Sequence, residues 1–453
     1  MGFDKFEATY ENKQKIESFG IVYIYSRIYV AVPAIYIYIY CRTREIRPKT
    51  AGAKIFGYFS AGHRSDNLFD ELYFARKMFI TVLTYLVIGL LAIFGLFYIV
   101  LEVRFFRALG TVRTGTSDVE PKPHVSILIA ARNESSGIRA TLDSVLAQDY
   151  DGEWDVWVAD DRSTDDTPEI LEEYASREPR LHVLSIEEIP EGVSPKKHAL
   201  SRLIEACDGE ILCLTDADCI VQPSWIGGIV AEFEPGIELV AGHSYIPTTS
   251  KSSVLICMQA VETLIYRVAG TAGLAMHLPL TSTGNNLAYR KSFFKSVNGF
   301  ENVLKIQSGD DDLLMQKLAT DRPWAMRYCI AESTFVTTNG KETLHELWEQ
   351  RKRWASKTIY YSPKIVFVLT MVFLFLTMQC VAALLAPFSI GILIAFAATF
   401  VAKCIGDLVL ILRGLRIFKQ EHLLKWCIPV EIIHAPFTVL AVLFGLFGRF
   451  KWK

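Results

Sequence analysis

The stretch Glu210-Ile-Leu-Cys-Leu-Thr-Asp-Ala-Asp218 decides how this chain is read. Its apolar run, 211–214, has the length and continuity of a strand covered on both faces, as in a mostly parallel sheet. Two carboxylates, Asp216 and Asp218, close it. Residues two apart in an extended segment point the same way, so both side chains meet one target. A pair of this kind at a strand's carboxyl end suits a hard divalent cation, Mg2+ or Mn2+, that also holds phosphate oxygens. The plain alternative is a solvated turn, and the surrounding pattern weighs between the two.

From 124 to about 330, short apolar strands alternate with amphipathic helices. Strands are predicted at 125–131, 154–159, 181–184 and 211–214, with helices at 137–146, around 167 and at 198–206. Thr167-Pro168-Glu169 places a capping residue ahead of a proline at the first helical position. Strand–helix alternation means an α/β sandwich that binds ligands beyond the strands' carboxyl ends.

The rest of the chain is more apolar. Of 453 residues, 51% are hydrophobic, with average charge, which points to a soluble domain joined to a membrane part. A net charge of −2 argues against a nucleic-acid polymer as partner. Nine cysteines without a C-x-x-C pair read as reduced, buried thiols. Segment 78–103 is long enough to span a bilayer, and Arg104, Arg107 and Arg113 behind it put the next domain, 122–340, in the cytoplasm. Segment 341–360 reads as an interfacial helix, with Arg351, Lys352 and Lys357 flanking Trp and Leu at a lipid surface. Further spans are predicted at 365–385, 388–412 and 426–447. Within one of them Lys403 and Asp407 stand four apart on one helical face, either a functional pair or a mutually neutralising one. Residues 1–77, with a Tyr- and Ile-rich stretch at 21–40 and a basic tail at 42–54, carry no convincing signal peptide and are expected to be dispensable. A basic end, 449–453, would face outward.

Five polar elements punctuate this frame. The first strand ends in Arg132-Asn133-Glu134 and the second in Asp160-Asp161-Arg162, at the edge where a nucleoside's base and ribose would be held. Lys196, opening the helix before the central strand, is placed to reach a diphosphate. Gly309-Asp310-Asp311-Asp312 opens a helix whose positive end favours ionised carboxylates, as a cap or as a general base. The polar segment 281–290 is expected to line an acceptor pocket. In Gln350-Arg-Lys-Arg353-Trp354, residues 350, 353 and 354 share one side of a helix, offering a guanidinium for phosphate and an indole for a sugar ring.

With these residues in order, the stretch 124–357 and its flanking spans resembles a membrane-integrated family 2 glycosyltransferase, a group that includes hyaluronan, chitin and cellulose synthases and ceramide glucosyltransferases. The resemblance implies a GT-A fold, a nucleotide-sugar donor bound by Asn133, Glu134, Asp160, Asp161, Lys196, Asp216, Gln350, Arg353 and Trp354, and a Mg2+ or Mn2+ ion on Asp216 and Asp218. It implies inverting transfer from a UDP-sugar, with Asp310 as the base and Asp311 as its rival. Where the synthases usually carry Thr-Glu-Asp, this chain has Ser308-Gly309-Asp310. The small membrane part favours a lipid or short-glycan acceptor at the plasma membrane, in contact with membrane lipids, over a processive polysaccharide synthase. A non-catalytic scaffold is a third reading, disfavoured by the retained carboxylates.

Overall fold

The computed structural model describes residues 65–115 and 120–447. The stretch 21–40, the basic tail 42–54 and the ending 449–453 lie outside the described residues. The compact unit Val82–Lys453 holds both sheets and every side chain discussed below.

In chain order the elements are α1 (Ser65–Leu109), β1 (Val125–Ala131), α2 (Ile138–Leu146), β2 (Trp154–Asp161), α3 (Thr167–Ala175), β3 (Leu181–Ile186), α4 (Pro195–Ala206), β4 (Ile211–Asp216) and α5 (Trp225–Val230). Then come β5 (Leu239–Ala241), β6 (Ser244–Tyr245), α6 (Val254–Ala275), β7 (Leu287–Arg290), α7 (Lys291–Ser296), α8 (Asp312–Asp321), β8 (Met326–Tyr328) and β9 (Val336–Thr337). Four helices complete the chain: α9 (Leu344–Ser356), α10 (Pro363–Leu385), α11 (Ile390–Ile417) and α12 (Leu424–Phe447).

Seven strands form one sheet in the order β3-β2-β1-β4-β7-β5-β8. The first four are parallel; β7 runs antiparallel to both β4 and β5. A second sheet pairs β6 with β9. The parallel half is buried on both faces because its apolar residues alternate between two cores. Val125, Ile127, Ile129, Ile211 and Cys213 pack with α2, α3 and α5. Leu128, Leu212 and Leu214 face the other way, onto α4 and α6. That second core continues into the apolar helices through Phe105, Ile365, Leu410 and Leu415, so the sheet rests on the helical part without an intervening linker.

The chain order β1-β2-β3 proceeds outward on one side of β1, while β4 lies on the other. The crevice at the carboxyl ends of β1 and β4 is therefore the switch point where such sheets hold ligands. Register puts Asp160 opposite Ala131 and Asp216 opposite Ala130, so the two aspartates flank the end of β1. With neighbouring strands about 4.8 Å apart, they stand roughly 10 Å from each other across the edge.

Among the described residues, five helices are long and apolar enough to cross a membrane: Tyr73–Leu109, Val254–Ala275, Pro363–Phe388, Ile390–Ile417 and Glu421–Phe447. The helix Val254–Ala275 has no counterpart in the sequence reading. Its buried polar residues, Gln259, Glu262 and Arg267, interrupt the apolar signal, and they are satisfied by partners far along the chain.

Candidate active site

The predicted interfacial helix is α9, closed at its start by a reciprocal cap between Thr343 and Glu346. Its basic residues do not ring it at a lipid surface, as their composition suggested. Arg351 turns inward and grips Glu262 of α6 through two bonds, 3.0 Å from Nε and 2.6 Å from a terminal nitrogen. Lys352 pairs with Glu349 at 2.5 Å, and Lys357 is buried against Asp311 and Asp312. The reason is charge: acidic residues on other elements, for Arg351 and Lys357, and on α9 itself, for Lys352, offer these cations partners that water or headgroups would otherwise supply. Arg351 also donates to Gln350 Oε1 and lies 4.2 Å from the Trp354 ring centroid. It thereby fixes two of the three residues singled out on this helix, a role the sequence pattern did not disclose.

The three consecutive aspartates divide their work. Asp312 begins α8; its Oδ1 accepts from Ser282 N at 2.7 Å, and its Oδ2 accepts from Tyr361 at 2.6 Å and pairs with Lys357 at 2.6 Å. Asp311 caps the same helix, accepting from Asp312 N at 2.6 Å and Gly284 N at 3.1 Å, with Lys357 at 3.2 Å. Burial raises the pKa of Asp312, and Asp311 beside it adds to that. Burial pushes Asp311 the same way, but Lys357 and the helix amide bring it below the ordinary carboxylate value.

Asp310 is held differently. Its Oδ2 is buried and has no hydrogen-bond partner among the described residues; it meets only the Lys196 ammonium, 3.1 Å away and out of hydrogen-bond alignment. The same Lys196 nitrogen donates to Asp216 Oδ1 at 2.7 Å, so one cation links the end of β4 to the start of α8. Burial lowers the Lys196 pKa, and the two carboxylates more than reverse it, leaving the group firmly cationic. Gly284 is needed here, since a Cβ at that position would stand 2.8 Å from Asp310 Oδ2 and 3.3 Å from Lys196 Nζ. The loop carrying Asp310 is tied down by Lys197, whose Nζ donates at 2.8 Å to the carbonyls of Val303, Ile306 and Ser308. Burial brings the Lys197 pKa down to about 8.

Asp216, Asp218 and Cys219 bring their ligand atoms within 4.8 Å of one another. Burial lifts the Cys219 thiol well above its usual pKa, and the protonated thiol donates to Asp218 Oδ1. The donor set is therefore two carboxylates, which fits a hard cation such as Mg2+ or Mn2+ and not a soft, thiolate-bound metal.

A cavity of about 690 Å³ joins these groups: Lys196, Asp216, Asp218, Asp310, Asp311, Gln350, Arg353 and Trp354 all lie on its wall. Arg353 is half-buried, which lowers its pKa, and it sits in the field of Asp310, Asp216 and Asp311. Residues 281–285 line the same cavity, whereas Asn286 departs from the expected pocket and serves the core, accepting from Trp225 Nε1 at 3.0 Å. A smaller cavity of about 340 Å³, near Glu332, Phe418 and His422, reaches none of these carboxylates.

Asn133, Glu134, Asp160 and Asp161 are not on the large cavity's wall. They sit along the same sheet edge and stitch its loops together. Asn133 Oδ1 accepts from Thr164 N at 2.7 Å, Glu134 N donates to Thr167 Oγ1 at 2.9 Å, Asp160 accepts from Ser163 N at 3.3 Å, and Asp161 pairs with Arg162 at 2.9 Å.

Residues 126–295 match the family described as Glycosyl transferase family 2, and residues 211–443 the one described as Glycosyl transferase family group 2. The chain is 29% identical over 246 residues to a beta-monoglucosyldiacylglycerol synthase of Nostoc sp., covering 51% of this chain and 48% of that protein. It is 26% identical over 270 residues to a poly-beta-1,6-N-acetyl-D-glucosamine synthase of Staphylococcus epidermidis, covering 58% of this chain and 60% of that one. The chain thus spans about half the length of the curated relatives it matches. A solved mannosyltransferase from Pyrobaculum calidifontis, in complex with GDP-Man and Mn2+, shares the fold at a TM-score of 0.52 and 19% identity, over 81% of this chain and 99% of that one.

Proposed function

The chain belongs to the family 2 glycosyltransferases, and from that premise we propose that it transfers a sugar from a nucleoside diphosphate sugar, a UDP-sugar, to a hydroxyl of a lipid acceptor, with inversion at the anomeric carbon. The observation that carries this reading is Asp310: a buried carboxylate oxygen ion-paired with Lys196 at 3.1 Å and with no well-aligned hydrogen-bond donor among the described residues, on a cavity wall shared with Asp216, Asp218 and residues of the apolar helices. An acceptor hydroxyl in that cavity would supply such a donor.

In this mechanism Asp310 accepts the proton of the acceptor hydroxyl as its oxygen bonds to the anomeric carbon. The bond from that carbon to the diphosphate breaks, and its electron pair leaves with the nucleotide. Lys196 and Arg353 face the side where negative charge collects. Asp216 and Asp218 would hold Mg2+ or Mn2+, which when bound neutralises charge on the departing diphosphate. Asp311 and Asp312, already committed to Lys357, Tyr361 and backbone amides, keep the helix start in place; of the two rival bases the reading takes Asp310. Asn133, Glu134, Asp160 and Asp161 are assigned to the nucleoside, and Gln350 and Trp354 to the sugar. The apolar helices are read as spans in the plasma membrane, with the sheet domain on the cytoplasmic side.

The test is to incubate purified full-length protein with labelled nucleoside diphosphate sugars and membrane lipids, and to size the product. A single sugar on a lipid supports the proposal. A long polymer overturns the acceptor assignment in favour of the processive reading, which the similarity to a poly-N-acetylglucosamine synthase also motivates.

A further inference from the structure

The same cavity extends past the sheet into the helices α1, α11 and α12, where it meets a group of charged side chains that the transfer reaction does not use. Lys403, almost fully buried, pairs with Asp407 at 2.6 Å and with Glu431. Tyr98 donates to the other Asp407 oxygen at 2.7 Å. These contacts join the predicted pair Lys403 and Asp407 on α11 to two other helices, α1 through Tyr98 and α12 through Glu431, and they leave Asp407 satisfied on both oxygens.

Glu102 joins this group through a carboxyl–carboxyl hydrogen bond with Asp407. It lies on the cavity wall, only 6% exposed, and its Oε1 is given no donor among the described residues. Its place depends on Gly406, because any Cβ there would collide with the Glu102 carboxyl. A buried acceptor without a donor is costly, and inside a membrane span such a group is by default functional. The wall that Asp310 and Glu102 share is more apolar than polar, with Leu101, Phe105, Val268, Leu369, Phe373 and Leu376 among its residues.

We propose that Glu102 forms a second polar subsite at the membrane end of the cavity, accepting a hydrogen bond from a hydroxyl of the lipid acceptor other than the one that receives the sugar. The proposal rests on the lipid-acceptor reading above. An amphiphile occupying this space meets both carboxyls and a predominantly apolar wall. The Glu102 Oε1 accepts from a hydroxyl whether or not the other oxygen carries a proton, so the subsite selects acceptors by a second donor. Lipids with one hydroxyl and otherwise only ester groups leave Oε1 unmatched, and a site built to hydrogen-bond a hydroxyl discriminates strongly against the analogue without it.

The probes are the oleoyl and the ricinoleoyl (12-hydroxyoleoyl) esters of 1,2-propanediol, which share a chain length, an ester and the head-group hydroxyl and differ by one hydroxyl remote from the head group. Equilibrium binding to the full-length protein in detergent is expected to favour the ricinoleoyl ester by at least about tenfold. Glu102→Leu is expected to remove that preference while leaving the oleoyl ester's affinity unchanged, and Glu102→Gln, whose amide oxygen still accepts, to keep most of it. Gly406→Ala, which displaces the carboxyl without changing charge, is expected to act like Glu102→Leu. Equal binding of both lipids by the wild type overturns the subsite alone, as does a preference that survives in both Glu102→Leu and Gly406→Ala. Equal weakening of both lipids in Glu102→Leu also overturns it. Binding of neither lipid overturns the lipid-acceptor reading and this subsite with it.

Discussion

Replacing Lys357 by Met removes one ammonium from between two buried carboxylates. Its partners stand 3.2 Å (Asp311) and 2.6 Å (Asp312) away, with side-chain exposures of 14% and 3% against 8% for the lysine itself. At an effective dielectric near 20, one such pair interacts by about 4 kcal/mol at 4 Å, and deleting one partner of a buried pair costs about 3–5 kcal/mol. Asp312 keeps its bonds from Ser282 and Tyr361, so the lower half of that range, about 3–4 kcal/mol, is expected. The loss should depend on pH. Burial raises the Asp312 pKa, and Lys357 is what opposes that rise and lowers Asp311. Without the lysine the folded protein holds a proton that the unfolded chain releases. A group whose folded pKa exceeds its unfolded value stabilises at low pH, and that contribution is lost as pH rises through the folded pKa. Urea unfolding of the variant in detergent should therefore show the full deficit at about pH 7.5 and a smaller one at about pH 5. A deficit below about 1 kcal/mol, or one equal at both pH values, would refute the reasoning.

Two other substitutions probe the same cavity. Gly284→Ala places a methyl 2.8 Å from Asp310 Oδ2; turnover should fall by about 10²-fold, the cost of misplacing a reacting group by about 1 Å, with an unfolding midpoint close to wild type. Preserved turnover would mean that Asp310 tolerates displacement and is not at the chemistry. Asp218→Ala should weaken donor binding only when Mg2+ or Mn2+ is present, read by titrating nucleoside diphosphate with and without chelator. Equal donor binding by variant and wild type in metal would remove Asp218 from the metal site.

The α/β fold and the family were legible because they rest on short-range signals: continuous apolar strands, a proline at a helix start, and carboxylates spaced two apart at a strand end. The sheet's antiparallel half was not. Its strands β5 and β8 have three residues each, too short for any periodicity to register. Helix α6 was missed for a related reason: Gln259, Glu262 and Arg267 dilute an apolar pattern, and their partners are distant in sequence. The choice between Asp310 and Asp311 was open in the sequence, since both follow Gly309 and both suit a helix start. What separates them spatially is Lys357, 46 residues away from Asp311, a contact no local pattern reports. Composition also misread the basic face of α9, because Arg351 and Lys357 find carboxylates on α6 and α8 in place of a lipid surface. The Lys403 and Asp407 pair was visible at helical spacing, while Glu102 and Glu431, on separate helices, joined it only in three dimensions.

Asp310→Asn tests the central claim most directly, because the change keeps the side chain's shape and leaves Lys196 its partner at Asp216. Sugar transfer and donor binding should be measured on the same preparation. The account predicts that transfer falls by about 10²–10⁴-fold, the range for loss of a general base, while the donor binds almost as in the wild type. Substantial residual transfer by Asp310→Asn would contradict it.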